Sequence, residues 1–134
     1  MEIKRNEATL NRPNGDRVID APFVFLDIPE FIHQIKKEKA WKENDRNGIT
    51  IFKSEGVTMV ITILREGSKI SHSIMDEFLI LQVLDGKINV STSEGEFEVK
   101  KKNAVTIHPG VSHSIEALSK TILLLTTFNS KNEF

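Results

Sequence analysis

The chain has no cysteine, one tryptophan, four prolines and seven glycines among 134 residues. The missing cysteine excludes a disulfide framework, a thiolate-ligated zinc and a thiol nucleophile. Net charge is scarce as well. Eighteen basic side chains face nineteen acidic ones, and the sequence pI is about 6.4, so no basic field awaits a nucleic-acid backbone. Apolar runs are short, of the length of Ile122 to Leu125, against the roughly 20 residues a bilayer needs. Met1 to Leu10 is polar and charged, unlike a signal peptide or a spanning helix. No glycine-rich phosphate loop occurs, no serine has an evident activating base, and no repeat or low-complexity tract breaks the chain. The length suits one domain, since two would each be too small for a good core. The expectation is a soluble cytoplasmic protein whose partners are neither nucleic acid nor membrane.

What is present changes character once along the chain. Asn11-Arg12-Pro13-Asn14-Gly15-Asp16 carries turn chemistry, and Pro22-Phe23-Val24-Phe25-Leu26 is a short apolar stretch. Asp27 has the character of a helix N-cap, with Pro29 in the first turn and Glu30 favourable to the dipole. Ile28, Phe31, Ile32 and Ile35 recur at helical spacing, while Lys36, Lys37, Glu38 and Lys39 are expected to face water. One amphipathic helix over 29–43 follows, ending near Asn44 and an Asn47-Gly48 turn, with His33 on its surface and Trp41 packing at its end.

From residue 49 the signal is β. Ile49–Lys53 and Val57–Leu64 are rich in β-branched residues, with Glu55-Gly56 between them. Phe78–Leu84 closes at Asp85-Gly86, a hairpin signal. Ile88, Val90 and Thr92, then Phe97 and Val99, alternate with polar residues as half-exposed strands do. Ala104–Ile107, Ser114–Ala117 and Thr121–Phe128 complete the set. Seven or eight short strands at spacings near ten residues describe an all-β sandwich or closed barrel. The organisation read from this is 1–44 as an N-terminal arm and helix packing on the barrel, 45–128 as the barrel, and 129–134 as a loose tail.

Gly67-Ser68-Lys69-Ile70-Ser71-His72-Ser73-Ile74-Met75-Asp76-Glu77-Phe78-Leu79, continued to Gly86, resembles the first motif of the cupin superfamily. Ile107-His108-Pro109-Gly110-Val111-Ser112-His113, continued to Ala117, resembles the second. The motifs cover about residues 64–118, in the family's order. The resemblance implies a cupin-like jelly-roll β-barrel, here with one N-terminal amphipathic helix, and often a dimer. Anchored on Gly86, it puts His72 at the first metal-binding histidine of the family, Ile74 at the second, Leu79 at the glutamate and His113 at the histidine of the second motif. His108 falls where the family has proline, Lys102 at the leading glycine and Ala117 at the asparagine. A rival register makes His72 the second histidine and Glu77 the glutamate, at the cost of two failed spacings.

In the preferred register two of the four implied ligands survive, and a usefully held divalent metal generally needs at least three protein groups. Ile74 and Leu79 cannot coordinate. The expected ligand pocket is therefore lined by His72, Ile74, Leu79, Leu81, His108 and His113, with no cofactor preferred. The function read from this is small-molecule binding in a role still unassigned. A metal-dependent enzyme of dioxygenase or isomerase type, holding a divalent metal through His72 and His113 with Glu77 or His108, is the alternative. A structural module with a filled barrel is a third. Phe78–Leu81 and Ile122–Leu125 are apolar at successive positions, so both faces of those strands need a cover. The helix supplies part of it and a second copy the rest, which gives a homodimer.

Overall fold

The computed structural model describes residues 1–72 and 75–129. Along the chain run β1 (Lys4–Asn6), β2 (Arg17–Asp20), α1 (Ile28–Lys37), α2 (Lys39–Glu43), β3 (Arg46–Ser54), β4 (Val57–Leu64), β5 (Lys69–His72) and β6 (Phe78–Asp85). They continue as β7 (Lys87–Thr92), β8 (Gly95–Lys100), β9 (Ala104–Ile107), β10 (His113–Ala117) and β11 (Thr121–Phe128). One antiparallel sheet has the order β3-β4-β11-β6-β9 and the other β5-β10-β7-β8. From β4 to β11 every connection except β7–β8 crosses from one sheet to the other, which is the winding of a jelly roll. The short strands β1, β2 and β5 have too few residues to show a period in sequence.

Alternation along these strands sorts the apolar side chains into two cores. Between the sheets lie Leu64, Leu79, Leu81, Val83, Ile88, Val90, Ile107, Ile115 and Leu123, with Val105 and Leu125 packed against them. On the outer face of the five-stranded sheet, Ile49, Ile51, Ile61, Ile63, Ile122 and Leu124 meet Ile35 and Trp41 from the helices. Within one chain β6 is covered on its inner face and only in part on its outer one. Ile80 is 36% exposed, and Gln82 two residues on is exposed too. The helices lie over β3, β4 and β11 and leave this part of β6 open.

Asp27 does cap α1, its Oδ1 accepting from Glu30 N at 3.2 Å. The single helix expected over 29–43 is instead two, broken at Glu38, whose backbone is extended (φ −73°, ψ 149°). The break turns the Glu38 carboxylate away from water, leaving its side chain 9% exposed. Arg12 clasps it bidentately, with Nε and Nη2 each 2.9 Å from a carboxylate oxygen. Asn47 Nδ2 donates to Glu38 Oε1 at 3.0 Å and also to the Ile35 carbonyl at 2.9 Å, closing the end of α1. Asn47 and Gly48 thus do not form the expected turn; they lie inside β3. Periodicity could not signal this, because the force that breaks the helix comes from Arg12, 26 residues away.

The N-terminal arm is a small antiparallel pair, β1 on β2, laid along β3. Arg17 holds it there by donating to the Thr50 carbonyl from Nε at 2.8 Å and from Nη2 at 2.6 Å. Burial, then repulsion from Arg12, depress the Arg17 pKa against the attraction of Glu38. Among the described residues no helix is long and apolar enough to cross a membrane.

Acid should loosen this arm. Burial pushes the Glu38 carboxyl up, but hydrogen bonds from Arg12 and Asn47 and the Arg12 charge outweigh it, leaving the group below its ordinary 4.5. A depressed carboxyl contributes stability that is complete above its unfolded value and is lost as pH falls through the folded one. Stability should therefore fall as pH drops below about 4.5, and urea midpoints of Glu38→Gln should fall less steeply there than those of the wild type. Equal slopes in the two proteins would remove Glu38 from the acid response.

Candidate functional site

Strands that line the space between the sheets carry their alternation to one end of the barrel, and at that end the inward side chains of β4, β7, β10 and β11 turn polar while those of β6 and β9 stay apolar. On β11, Leu123 and Leu125 face inward and Thr127 follows on the same face; on β7, Ile88 and Val90 are followed by Thr92. On β10 the inward series Ala117, Ile115 ends in His113, which is 4% exposed. Registers bring these ends together. Thr127 lies opposite Thr58 on β4 and Leu79 on β6, while His113 lies opposite Thr92 on β7 and His72 on β5. One sheet thus ends in Thr58 and Thr127 beside Leu79, and the other in Thr92 and His113. Thr58, Thr92 and Thr127 were not singled out in the sequence, although extending the period of two by one step from each apolar series points to them.

The loops at this end are tied to one another. Gly110, at φ +81°, donates its N–H to the Met75 carbonyl at 2.8 Å, joining the β9–β10 loop to the β5–β6 loop. His113 Nδ1 stands 3.1 Å from the Val111 carbonyl. A carbonyl can only accept, so in the neutral ring Nδ1 carries the hydrogen and Nε2 the lone pair.

The structure distributes the expected pocket residues unevenly. Leu79 and Leu81 are buried in the interior, 2% and 0% exposed, and His113 stands at its end. His72 enters through its backbone register opposite His113, and Ile74 lies outside the described residues. His108 is set apart from this group. It follows the inward Ile107 at the end of β9, is exposed, and packs edge-on against Phe78 with ring centroids 4.7 Å apart. Phe78 precedes the inward Leu79, so alternation puts this aromatic pair on the outside. Glu77 is half-buried just before β6.

This donor set does not fit the metal that the resemblance implies. Leu79, where the resemblance places a carboxylate, is hydrocarbon packed in the interior core. Among the described residues no three His, Asp or Glu side chains come together as metal ligands. What the arrangement offers is an apolar floor with hydroxyl and imidazole groups at its rim. Elsewhere, a surface cleft of about 950 Å³ opens between the arm and the helices, lined in part by Asn11, Asn14, His33, Gln34, Lys37 and Glu38. Its charges are of both signs and converge on no point.

No protein-family model matches the chain, and no curated protein matches it either. Solved structures do. A cupin superfamily protein from Desulfitobacterium hafniense DCB-2 superposes with a TM-score of 0.61 at 14% identity, covering 64% of this chain and 79% of that one. An RmlC-like cupin from Shewanella frigidimarina NCIMB 400 gives 0.59 at 14% identity over 67% and 81% of the two chains. Salicylate 1,2-dioxygenase from Pseudaminobacter salicylatoxidans gives 0.57 at 14% identity, over 63% of this chain but 26% of the enzyme. Identities this low carry the architecture and leave the chemistry open. In its strand order, its sheet-crossing connections and its similarity to these structures, the chain has the cupin fold.

Proposed function

We propose that this protein binds a small, partly apolar molecule at the mouth of the barrel, without a resident metal, and that it acts in the cytoplasm as a homodimer. The observation that carries the reading is the change along the inner face from Leu81 and Leu79 to Thr127, Thr58, Thr92 and His113. An apolar floor with a few polar groups at one rim suits a ligand that buries a hydrocarbon body and leaves a polar end to be recognised. The hydroxyls of Thr58 and Thr127 and the His113 ring are the polar groups for that end, whereas Thr92 Oγ1 serves its own turn, donating to the Gly95 carbonyl and accepting from Glu94 N. The exposed Ile80, Phe23 and Phe25 favour a second copy as cover.

Thermal shift with a panel of aromatic alcohols and short-chain carboxylic acids tests this, because a ligand that prefers the folded state raises the melting temperature. At least one compound should stabilise the wild type. Its affinity should fall about 5-fold in Thr127→Val, as expected for one lost hydrogen bond, and further in His113→Leu. The reading fails if no compound acts, or if both variants respond as the wild type does. Stoichiometric metal in protein purified without chelator, lost on replacing His72 and His113 by alanine, would put the metal-dependent enzyme in its place.

A further inference from the structure

We propose that the free edge of β3 is a strand-addition surface for a second copy of this chain, and that the N-terminal arm keeps it closed. β3 pairs with β4 on one side only. On its other side β2 runs alongside without a backbone ladder to it. Three of the outward backbone groups there are satisfied by side chains. Arg12 Nη2 donates to the Gly48 carbonyl at 2.6 Å, Arg17 donates twice to the Thr50 carbonyl, and Asn47 Oδ1 accepts from Gly48 N at 2.9 Å. Two guanidinium groups stand where the N–H groups of another strand would stand.

Glu38 fastens this arrangement into a closed ring. Arg12 bonds both Glu38 and Gly48, Glu38 accepts from Asn47, and Asn47 returns to Gly48. Nothing in the ring is a backbone-to-backbone bond, so the arm can leave without breaking the sheet. An edge is then uncovered whose regular part runs from Arg46 to Thr50, up to the bulge between Thr50 and Phe52, and such an edge is a template for pairing.

A second copy fits that edge by its own symmetry. In an antiparallel strand the N–H and C=O of one residue point to the same side. Arg17 reaches Thr50 O on the side away from β4, so Thr50 N–H points there as well, as do both backbone groups of Gly48. A two-fold axis at Ile49 sets Gly48 of each copy opposite Thr50 of the other, and each such pair exchanges two N–H···O bonds. Gly48 has no side chain to hinder the approach. The three outward groups that now bond to Arg12, Arg17 and Asn47 all find partners in this pairing, and the Thr50 N–H finds one with them.

The test is the native mass of the full-length double variant Arg12→Ala/Arg17→Ala against the wild type, by light scattering after gel filtration. The proposal expects the variant to have at least twice the wild-type mass, since a monomer opens one edge and a homodimer opens two. Adding Thr50→Pro, which removes an outward N–H on an edge strand where proline is tolerated, should return the mass to that of the wild type. Hydrogen exchange gives an independent readout: the Thr50 amide should be slower in the double variant than in the wild type. A folded double variant of unchanged mass, or one whose raised mass survives Thr50→Pro, overturns the proposal. If the double variant does not fold, Glu38→Gln decides: it keeps both arginines but weakens their anchor, and a mass unchanged at every concentration also overturns it.

Discussion

Gly86→Ala should destabilise the protein by about 4 kcal/mol, summing positive-φ strain of ~1–2 and crowding of ~1–3 kcal/mol. The residue makes the β6–β7 turn at φ +86°, a conformation that costs a residue with a Cβ. The second cost is space. A Cβ built there would lie 2.5 Å from the Lys120 carbonyl, 2.6 Å from Thr121 Oγ1 and 2.9 Å from Thr121 Cα. These are not atoms that can swing aside, because the start of β11 is bound to this turn. Thr121 Oγ1 donates to the Lys87 carbonyl at 3.0 Å, and Lys101 N donates to the Gly86 carbonyl at 3.0 Å. Gly67→Ala is the control. Its φ is +87°, but nothing stands within 4 Å of the added carbon, so it should cost only the strain, about 1–2 kcal/mol. Urea unfolding of the two variants side by side separates the terms. Equal losses would mean that β11 yields to the methyl group and that the turn is less tightly wedged than its distances imply.

The same comparison explains what could be read in the sequence. Asp85-Gly86 signals a tight turn through conformational preference alone, and the turn is there, but it is not the expected hairpin: β6 and β7 belong to different sheets, so the turn carries the chain across instead of pairing them. That Lys120 and Thr121 press against it is a tertiary fact with no local signal. The strands from Ile49 to Phe128, apart from the four-residue β5, were legible because burial on one face imposes a period of two, which Ile88-Val90-Thr92 and Ser114–Ala117 display directly. The helix was legible at its start, where Asp27 and Pro29 act locally. It was misread at Glu38, where a distant arginine and an asparagine on β3 outcompete helix continuation. The arm strands were missed because β1 and β2 hold three and four residues, and their placement depends on Arg12 and Arg17.

The candidate site was legible in the same uneven way. Motif spacing identified the strand ends that hold His72 and His113, and the fold sets those two residues opposite each other in register. Spacing also led to His108, yet one residue beyond an inward Ile107 is an outward position, and the ring is found there against Phe78. The threonines at the rim were passed over because threonine is ordinary in strands. Only the register, which joins Thr58 to Thr127 and Thr92 to His113 across strands far apart in sequence, gathers them into one place.

The interior beneath that rim makes the second large effect. Leu81 is fully buried and lies between Leu125 and Val105 on the neighbouring strands. Leu81→Ala should cost about 3–4 kcal/mol, lowering the melting temperature by roughly 10–15 °C in a domain of this size. Leu→Ala losses combine a transfer component with one for the cavity left behind, and the cavity component is large only where the walls cannot collapse. Here they belong to two sheets, and β6 is bonded to both β11 and β9, in regular register with β11 from Leu123 to Phe128. The cavity should therefore stay open and dry, and a small aromatic such as benzene should raise the melting temperature of the variant and not of the wild type. Leu84→Ala, on the opposite face of the same strand and only half-buried under the helices, should lose less and respond to no such probe. A loss at Leu81 below about 1 kcal/mol, or no response to benzene, would mean that the inner side chains repack freely. A floor that repacks freely cannot select the apolar part of a ligand, and the binding reading of the barrel mouth would lose its support.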